Sequence, residues 1–249
     1  MDPLTIAAAS GMRARIEALE MLANNLANAA TAGFKLDREA YSLYAAQEAL
    51  EAAQAGLSPA ASLAPVLEAR WTDFRQGTLT ATGNPLDLAI SGPGFFVVEG
   101  PNGPLYTRNG AFRLSRDGVL ETADGYAVRA AGGGQIRASA KGQIQVSPEG
   151  EVRQGGQSLG RLQIVSFPRP EGLAKFGHNY FRADARLSPA PAAGYSIEQG
   201  KLEASNVSTA ESAVRLINIL RQFEILQRAV SLGGEMNRRA VEELARVSP

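Results

Sequence analysis

Each end of this 249-residue chain carries an apolar repeat of seven residues, and the middle carries none. Near the N-terminus Thr5, Ala9, Met12, Ile16, Leu19, Ala23 and Leu26 alternate by four and three positions. Near the C-terminus Leu216, Ile219, Phe223, Leu226, Val230, Gly233, Asn237, Ala240, Leu244 and Val247 alternate by three and four. That spacing lines one stripe along an α-helix, the seam on which helices wrap around one another. A lone helix cannot cover its own stripe, so the two ends must meet each other or other copies of the chain. The demand points to assembly rather than catalysis, with an intramolecular helical hairpin as the alternative.

The spacing predicts a first helix from about Leu4 to Asn28, stopping at Ala29–Ala30–Thr31–Ala32–Gly33, where glycine takes the left-handed conformation that closes a helix. A second helix is expected after Ser205–Asn206–Val207–Ser208, where Ser208 and Glu211 form a capping-box pattern. It should run to about Arg246 and loosen at Gly233–Gly234. Residues 36–70 are expected to be a connector. Within it Arg38 to Ala55 reads as helical by propensity, and Gly56, Pro59 and Pro65 then break any helix.

Between Trp71 and Gly200 lie 21 of the 26 glycines, which marks a different kind of structure from the alanine-rich flanks. Leu86–Asp87–Leu88–Ala89–Ile90 alternates, and Gly94 to Val98 is aromatic and β-branched. Pro101–Asn102–Gly103, Asn109–Gly110, Asp117–Gly118 and Asp124–Gly125 carry turn chemistry, since Asn, Asp and Gly tolerate positive φ. Strands are predicted at Phe112–Leu114, Val119–Leu120, Tyr126–Val128, Gln143–Val146, Leu162–Phe167 and Asn179–Phe181. Such closely spaced turns predict an antiparallel sandwich or barrel. The fold class is therefore α+β: terminal helices packing as a coiled-coil-like pair around a central antiparallel β domain. Its expected divisions are 1–35, 36–70, 71–198 and 199–249.

Composition removes several kinds of chemistry. Twenty-five basic and 25 acidic side chains cancel, so no electrostatic footprint for nucleic acid or an anionic membrane is expected. Without cysteine there is no disulfide, thiolate metal site or cysteine nucleophile. A single histidine, His178, cannot make a multi-histidine metal site and reads as a surface turn residue. Gly92–Pro93–Gly94 lacks the Lys-Ser/Thr of a phosphate loop and opens onto Phe95–Phe96, so it reads as a tight turn. No catalytic residue, cofactor or metal is expected. No apolar run reaches membrane-spanning length, and Arg13, Arg15 and Glu17 interrupt the first apolar stretch, so neither membrane insertion nor a cleavable secretion signal is expected.

Asn24, Asn25 and Asn28 are unusual within a helix, because asparagine competes for backbone hydrogen bonds. They either fray the helix end or use their amides to fix register against neighbouring helices.

Four segments carry a resemblance. Leu22 to Lys35, LANNLANAATAGFK, resembles the N-terminal signature of the flagellar rod and hook axial proteins. Gln76 to Val98, QGTLTATGNPLDLAISGPGFFVV, and Tyr106 to Val128, YTRNGAFRLSRDGVLETADGYAV, resemble that family's β-domain signatures. Gln199 to Glu224, QGKLEASNVSTAESAVRLINILRQFE, resembles the start of its C-terminal helix. The connector from Arg38 to Ala64 is less typical, and Ala30 and Ala32 stand where polar residues are commoner.

The resemblance implies a non-enzymatic subunit of a tubular rod in the basal body. Terminal helices would form its inner layer around an export channel, and β domains its outer layer. It also implies helices that order on polymerising, and export through the flagellar type III apparatus. The implied partners are copies of the chain and other rod and hook axial proteins. Within the family one β domain fits the proximal or distal rod, and Arg221–Gln222–Phe223–Glu224 is closer to the proximal type.

The residues expected to carry assembly are Met12, Ile16, Leu19 and Leu26 on the first helix, with Asn24, Asn25, Asn28, Gly33 and Phe34 at its end. On the C-terminal side they are Ser205, Asn206, Val207, Leu216, Ile219, Arg221, Phe223, Glu224, Leu226 and Val230. A β binding module whose helices close on each other, and a carbohydrate-active enzyme on a β scaffold, are the other readings.

Overall fold

A computed structural model describes residues 3–45, 63–139, 142–177, 179–184 and 186–247. His178 and the middle of the connector, 46–62, lie outside these residues. The architecture is α+β, and the chain divides into two compact units.

The first unit comprises 1–27, 37–71 and 208–249. It holds helix α1, Pro3–Ala27, and helix α2, Thr209–Val247, which pack along one another. The numbering runs in opposite directions across the contact, with Gly11 against Leu226 but Ala18 and Leu22 against Ile219, so the pair is antiparallel. Ser208 caps α2 by accepting the Glu211 N–H at 3.3 Å. The helix continues unbroken through Gly233–Gly234, against the expected loosening, and Gly233 is buried.

The start of the connector also departs from the helical expectation. Asp37–Ala45 is a strand, joined with Leu63–Thr72 in a two-stranded sheet. Propensity is a weak prior, and pairing with a partner distant in sequence overrides it here.

The second unit comprises 28–36 and 72–207 and is built from antiparallel pairs. Its main sheet has six strands in the order Ala174–Phe176, Tyr180–Arg182, Gly103–Thr107, Phe95–Gly100, Ile164–Ser166 and Ala190–Pro191. Side chains on Phe95–Gly100 alternate between two cores. Phe96 and Val98 enter a large cluster with Leu88, Ile90, Phe112 and Ile136, and Phe95 and Val97 enter a smaller one with Tyr106, Phe167 and Phe181. Burial on both faces explains why this strand reads as a continuous apolar run.

Two early strands pair with late ones. Leu88–Ser91 lies against Ser196–Gln199, and Leu79–Ala81 against Lys201–Glu203. The β unit therefore closes only when residues about 120 positions apart have met, as the Leu79–Glu203 pair shows.

Three of the four turn glycines take positive φ, Gly103 at 113°, Gly118 at 75° and Gly125 at 84°. Gly110 is needed for another reason, since a Cβ there would lie 1.7 Å from the Leu88 carbonyl oxygen. Gly110→Ala is expected to cost more than about 3 kcal/mol, because backbone must move to admit it. Gly132, with open space around it, should tolerate alanine within about 0.5 kcal/mol. Urea denaturation of the two variants measures the difference.

Candidate assembly interface

Within the helical unit, the face of α1 that meets α2 is not the one carrying its largest apolar side chains. Ala8, Gly11, Ala14, Ala18, Leu22 and Asn25 are buried, while Ile16 and Leu26 are 45% and 39% exposed. Met12 and Leu19 are half-buried. The buried face is turned from the expected stripe by about a third of a turn. Small residues let the helix axes approach closely: a Cβ on Gly11 would stand 3.1 Å from Leu226 Cδ1.

On α2 the expected seam does face α1. Ile219 is buried, and Leu216, Phe223, Leu226 and Val230 are half-buried. Asn237, Arg221 and Glu224 are exposed. The side chains of Thr5, Ala240, Leu244 and Val247 lie outside the described ones.

The asparagines divide by role. Asn25, 1% exposed, accepts the Asp37 N–H at 3.0 Å and donates to the Asp37 carbonyl at 2.9 Å, so its amide serves the backbone of its own chain. Asn28 accepts from Thr31 at both its carbonyl and its side chain. Asn24 is exposed. The buried side chain of Glu39 pairs with Arg215 of α2. Burial pushes the Glu39 carboxyl above its ordinary value and Arg215 opposes that shift.

In the β unit, residues 28–36 are sewn into the domain. Gly33, at φ 70°, donates to the Glu203 carbonyl at 2.7 Å, and a Cβ on it would meet Asn109 N at 2.3 Å. Phe34 is buried beneath Lys175 Nζ, which sits 4.3 Å from its ring centre and donates to the Lys35 carbonyl at 2.8 Å. Asn179 donates to the Ala32 carbonyl at 2.8 Å.

Lys35 anchors the segment. Its side chain is fully buried, and its ammonium donates to Glu203 Oε1 at 2.5 Å and to the Arg75 carbonyl at 2.7 Å. Glu203 Oε1 also accepts the Gly77 N–H at 2.9 Å, and Arg108 stands 3.6 Å from Glu203 Oε2. Arg108 in turn donates to the carbonyls of Ile90 and Gly92, at 3.2 and 2.7 Å. Burial pulls Lys35 and Arg108 below their ordinary values, and the Glu203 charge opposes both shifts. All four sequence motifs, or residues adjoining them, meet at this cluster. Sequence reading missed it because each charged residue looks solvated in its own segment. The signal available was position: Lys35, Arg108 and Glu203 each lie inside one of the recurring motifs.

Further along the last motif, Ser205 accepts the Val207 N–H at 3.2 Å, and Val207 is buried. Asn206 accepts the Leu36 N–H at 2.8 Å and donates to the Asp73 and Arg75 carbonyls at 2.8 and 3.1 Å. Among the described residues no group of His, Cys, Asp and Glu is arranged to hold a metal ion.

Comparison with known proteins agrees with this arrangement. Residues 7–35 match the flagella basal body rod protein family, 89–154 the flagellar hook protein FlgE/F/G D1 domain, and 198–243 the flagellar basal body rod FlgEFG protein C-terminal region. The chain is 37% identical over 236 residues to the flagellar basal-body rod protein FlgF of Caulobacter vibrioides, covering 92% of this chain and 93% of that protein. This chain belongs to the flagellar basal-body rod protein family. It is also 34% identical over 255 residues to FlgG of Agrobacterium fabrum, and 31% over 250 residues to FlgG of Caulobacter vibrioides. Each FlgG comparison covers 92% of this chain and 94% of the relative.

As a member of that family the protein is a structural subunit of the flagellar basal body, not an enzyme, and its kind assembles with other rod and hook components. The carbohydrate-enzyme reading is thereby set aside. No helix among the described residues is long and apolar enough to cross a membrane.

The cluster of this rod subunit yields a ranked prediction. Glu203→Gln strands two buried cations and should cost about 3–5 kcal/mol, the range for breaking a buried pair. Lys35→Met should cost less, because Arg108 still faces Glu203. Arg113→Ala, which breaks a pair whose arginine side chain is 58% exposed, should cost under about 1 kcal/mol. Urea melts of the full chain establish the order, and equal losses for all three would refute it.

Proposed function

We propose that this chain is a subunit of the proximal rod, polymerising through its terminal helices into a tubular shaft that crosses the periplasm and transmits torque. In this reading the helices pair in a coiled-coil-like manner and complete their order on assembly. The subunit leaves the cell interior unfolded, through the type III export apparatus.

The observation that carries the polymerisation is the uncovered face of α2. Val214, Ile217, Ile225, Leu232 and Met236 are each between 57% and 61% exposed. They lie about half a turn from the seam that meets α1. Five large apolar side chains on one helix face, interleaved with Arg221 and Arg228, form the kind of patch that marks an interaction surface. Ile16 and Leu26 on α1 are available to neighbours in the same way.

The length of α2 supports the same reading. Its 39 residues exceed the 25 of α1, so the antiparallel seam continues beyond its in-chain partner. Val241, on the seam side, is 66% exposed. A heterologous contact of this kind propagates a filament instead of closing.

The proximal assignment is supported by the higher identity to FlgF than to FlgG of the same organism, 37% against 31%. The Arg221–Gln222–Phe223–Glu224 segment points the same way. A distal-rod subunit is the second reading. Gold labelling of this protein in isolated basal bodies distinguishes them, because label confined to the outer-ring end of the rod would sink the proximal assignment.

Ile225→Asp places a charge on the exposed face and touches nothing in the in-chain seam. The monomer's melt should change by less than about 0.5 kcal/mol. Incorporation into basal bodies and swimming should both be lost. Wild-type motility in cells carrying only this variant would overturn the assembly role of the face.

A further inference from the structure

The uncovered face of α2 has a periodicity of its own. Its five exposed apolar side chains, with Arg221 and Arg228 between them, follow one another from Val214 to Met236 at spacings of three, four, four, three, four and four. This is an 11-residue repeat, which winds slightly to the right, whereas the seven-residue seam that meets α1 winds to the left. The helix thus carries two stripes of different pitch on opposite sides. Arg221 and Arg228 are exposed inside the second stripe, and neither has a charged partner among the described residues. Glu224 and Glu235 border the stripe on one flank and leave the arginines as the charges nearest its centre. A helix that covers this face must bring apolar contact and negative charge together.

The outward face of α1 has that make-up. Ala9, Ile16, Glu20, Ala23 and Ala27 are exposed and lie on the side away from α2. Three of them are alanines, the size that already admits large α2 side chains on the inner face, where Ala18 packs with Ile219. Glu20 has no cationic partner among the described residues, and Arg13 on the same side is turned to Glu17 at 3.5 Å.

We propose that the second stripe of α2 binds the outward face of α1 from a second copy of this chain, with an arginine of the stripe against Glu20. The proposal rests on the rod-subunit reading and names the partner of the face assigned there to assembly. Large side chains and positive charge on one helix meet small side chains and negative charge on the other. With Ile225 set over Ile16, an antiparallel pair brings Arg221 to Glu20, and a parallel pair brings Arg228 there. Each copy then gives α2 to one neighbour and α1 to another, a head-to-tail contact that continues instead of closing.

The chain has no cysteine, so introduced pairs are read without background. Two double variants, Glu20→Cys with Arg221→Cys and Glu20→Cys with Arg228→Cys, are expressed as the full chain. Basal bodies are isolated, oxidised with copper phenanthroline and run on non-reducing gels. Co-expressed wild-type protein carries a variant into the rod where it does not assemble alone. A disulfide forms only when the two Cα atoms lie within about 7 Å. Within one chain these positions face away from each other on opposite sides of the helix pair, so any link joins two copies. One double variant should give linked copies, and each single-cysteine variant should stay unlinked. Glu20→Arg should reduce swimming, as should Arg221→Glu with Arg228→Glu, and all three changes together should restore it. The helicity of the monomer, read by circular dichroism, should be the same in all of them. No link in either double variant would overturn the proposal. So would linking through Arg221→Cys or Arg228→Cys alone, which would set α2 on α2, or a link to a different basal-body protein. A charge combination that swims no better than its parts would overturn it as well. Absence of the wild-type protein from basal bodies would defeat the rod reading itself.

Discussion

Everything in the β unit that involves the chain's two ends depends on a charge that has been taken out of water. Lys35 is fully buried and faces Glu203, which Arg108 approaches from its other oxygen. Desolvating ions costs several kcal/mol each, and the attraction between them repays this only where the geometry is good and the remaining donors are satisfied. Here the ammonium and guanidinium find backbone carbonyls as well as the carboxylate. The cluster is for that reason intolerant: any arrangement that separates the N-terminal segment from the strand Lys201–Glu203 leaves a buried charge without its partner. It ties together residues 168 positions apart in the chain.

The same logic of dividing labour applies to the helices. α1 turns its small side chains to α2 and keeps Ile16 and Leu26 outward, and α2 offers opposite faces to its in-chain partner and to solvent. Close approach of two helices needs small residues, and adhesion to further helices needs large ones. The antiparallel pair is a minimal closure, one that leaves Val214, Ile217, Ile225, Leu232 and Met236 of α2 exposed.

Legibility in the sequence followed the range of the interaction concerned. The helices, the cap at Ser208, the left-handed glycines at 118 and 125 and the strand through Phe95–Val98 are decided by neighbours a few residues away, and all were readable. The strand Asp37–Ala45 was not, because an alanine- and glutamate-rich segment has a local preference that a distant partner strand outweighs. Gly110 reads locally as a turn residue, although its constraint is the Leu88 carbonyl of the strand Leu88–Ser91. Asn206 and Glu203 were inside a recognised motif, but their partners Leu36, Asp73, Lys35 and Arg108 come from elsewhere in the chain.

By itself, then, the sequence determined that the ends are amphipathic helices, that the middle is a turn-rich β domain, and that the chain resembles rod and hook axial proteins. These follow from periodicity, turn chemistry and local motifs, which are properties of contiguous residues. Tertiary structure alone decided which face of each helix closes on the other, that Asn25 and Asn206 hold backbone of their own chain, and that Lys35 and Glu203 share one buried site. The reason is physical: a stripe has a direction only once a partner occupies it, and a buried charge is tolerable only where folding has brought its counter-charge from the far end of the chain.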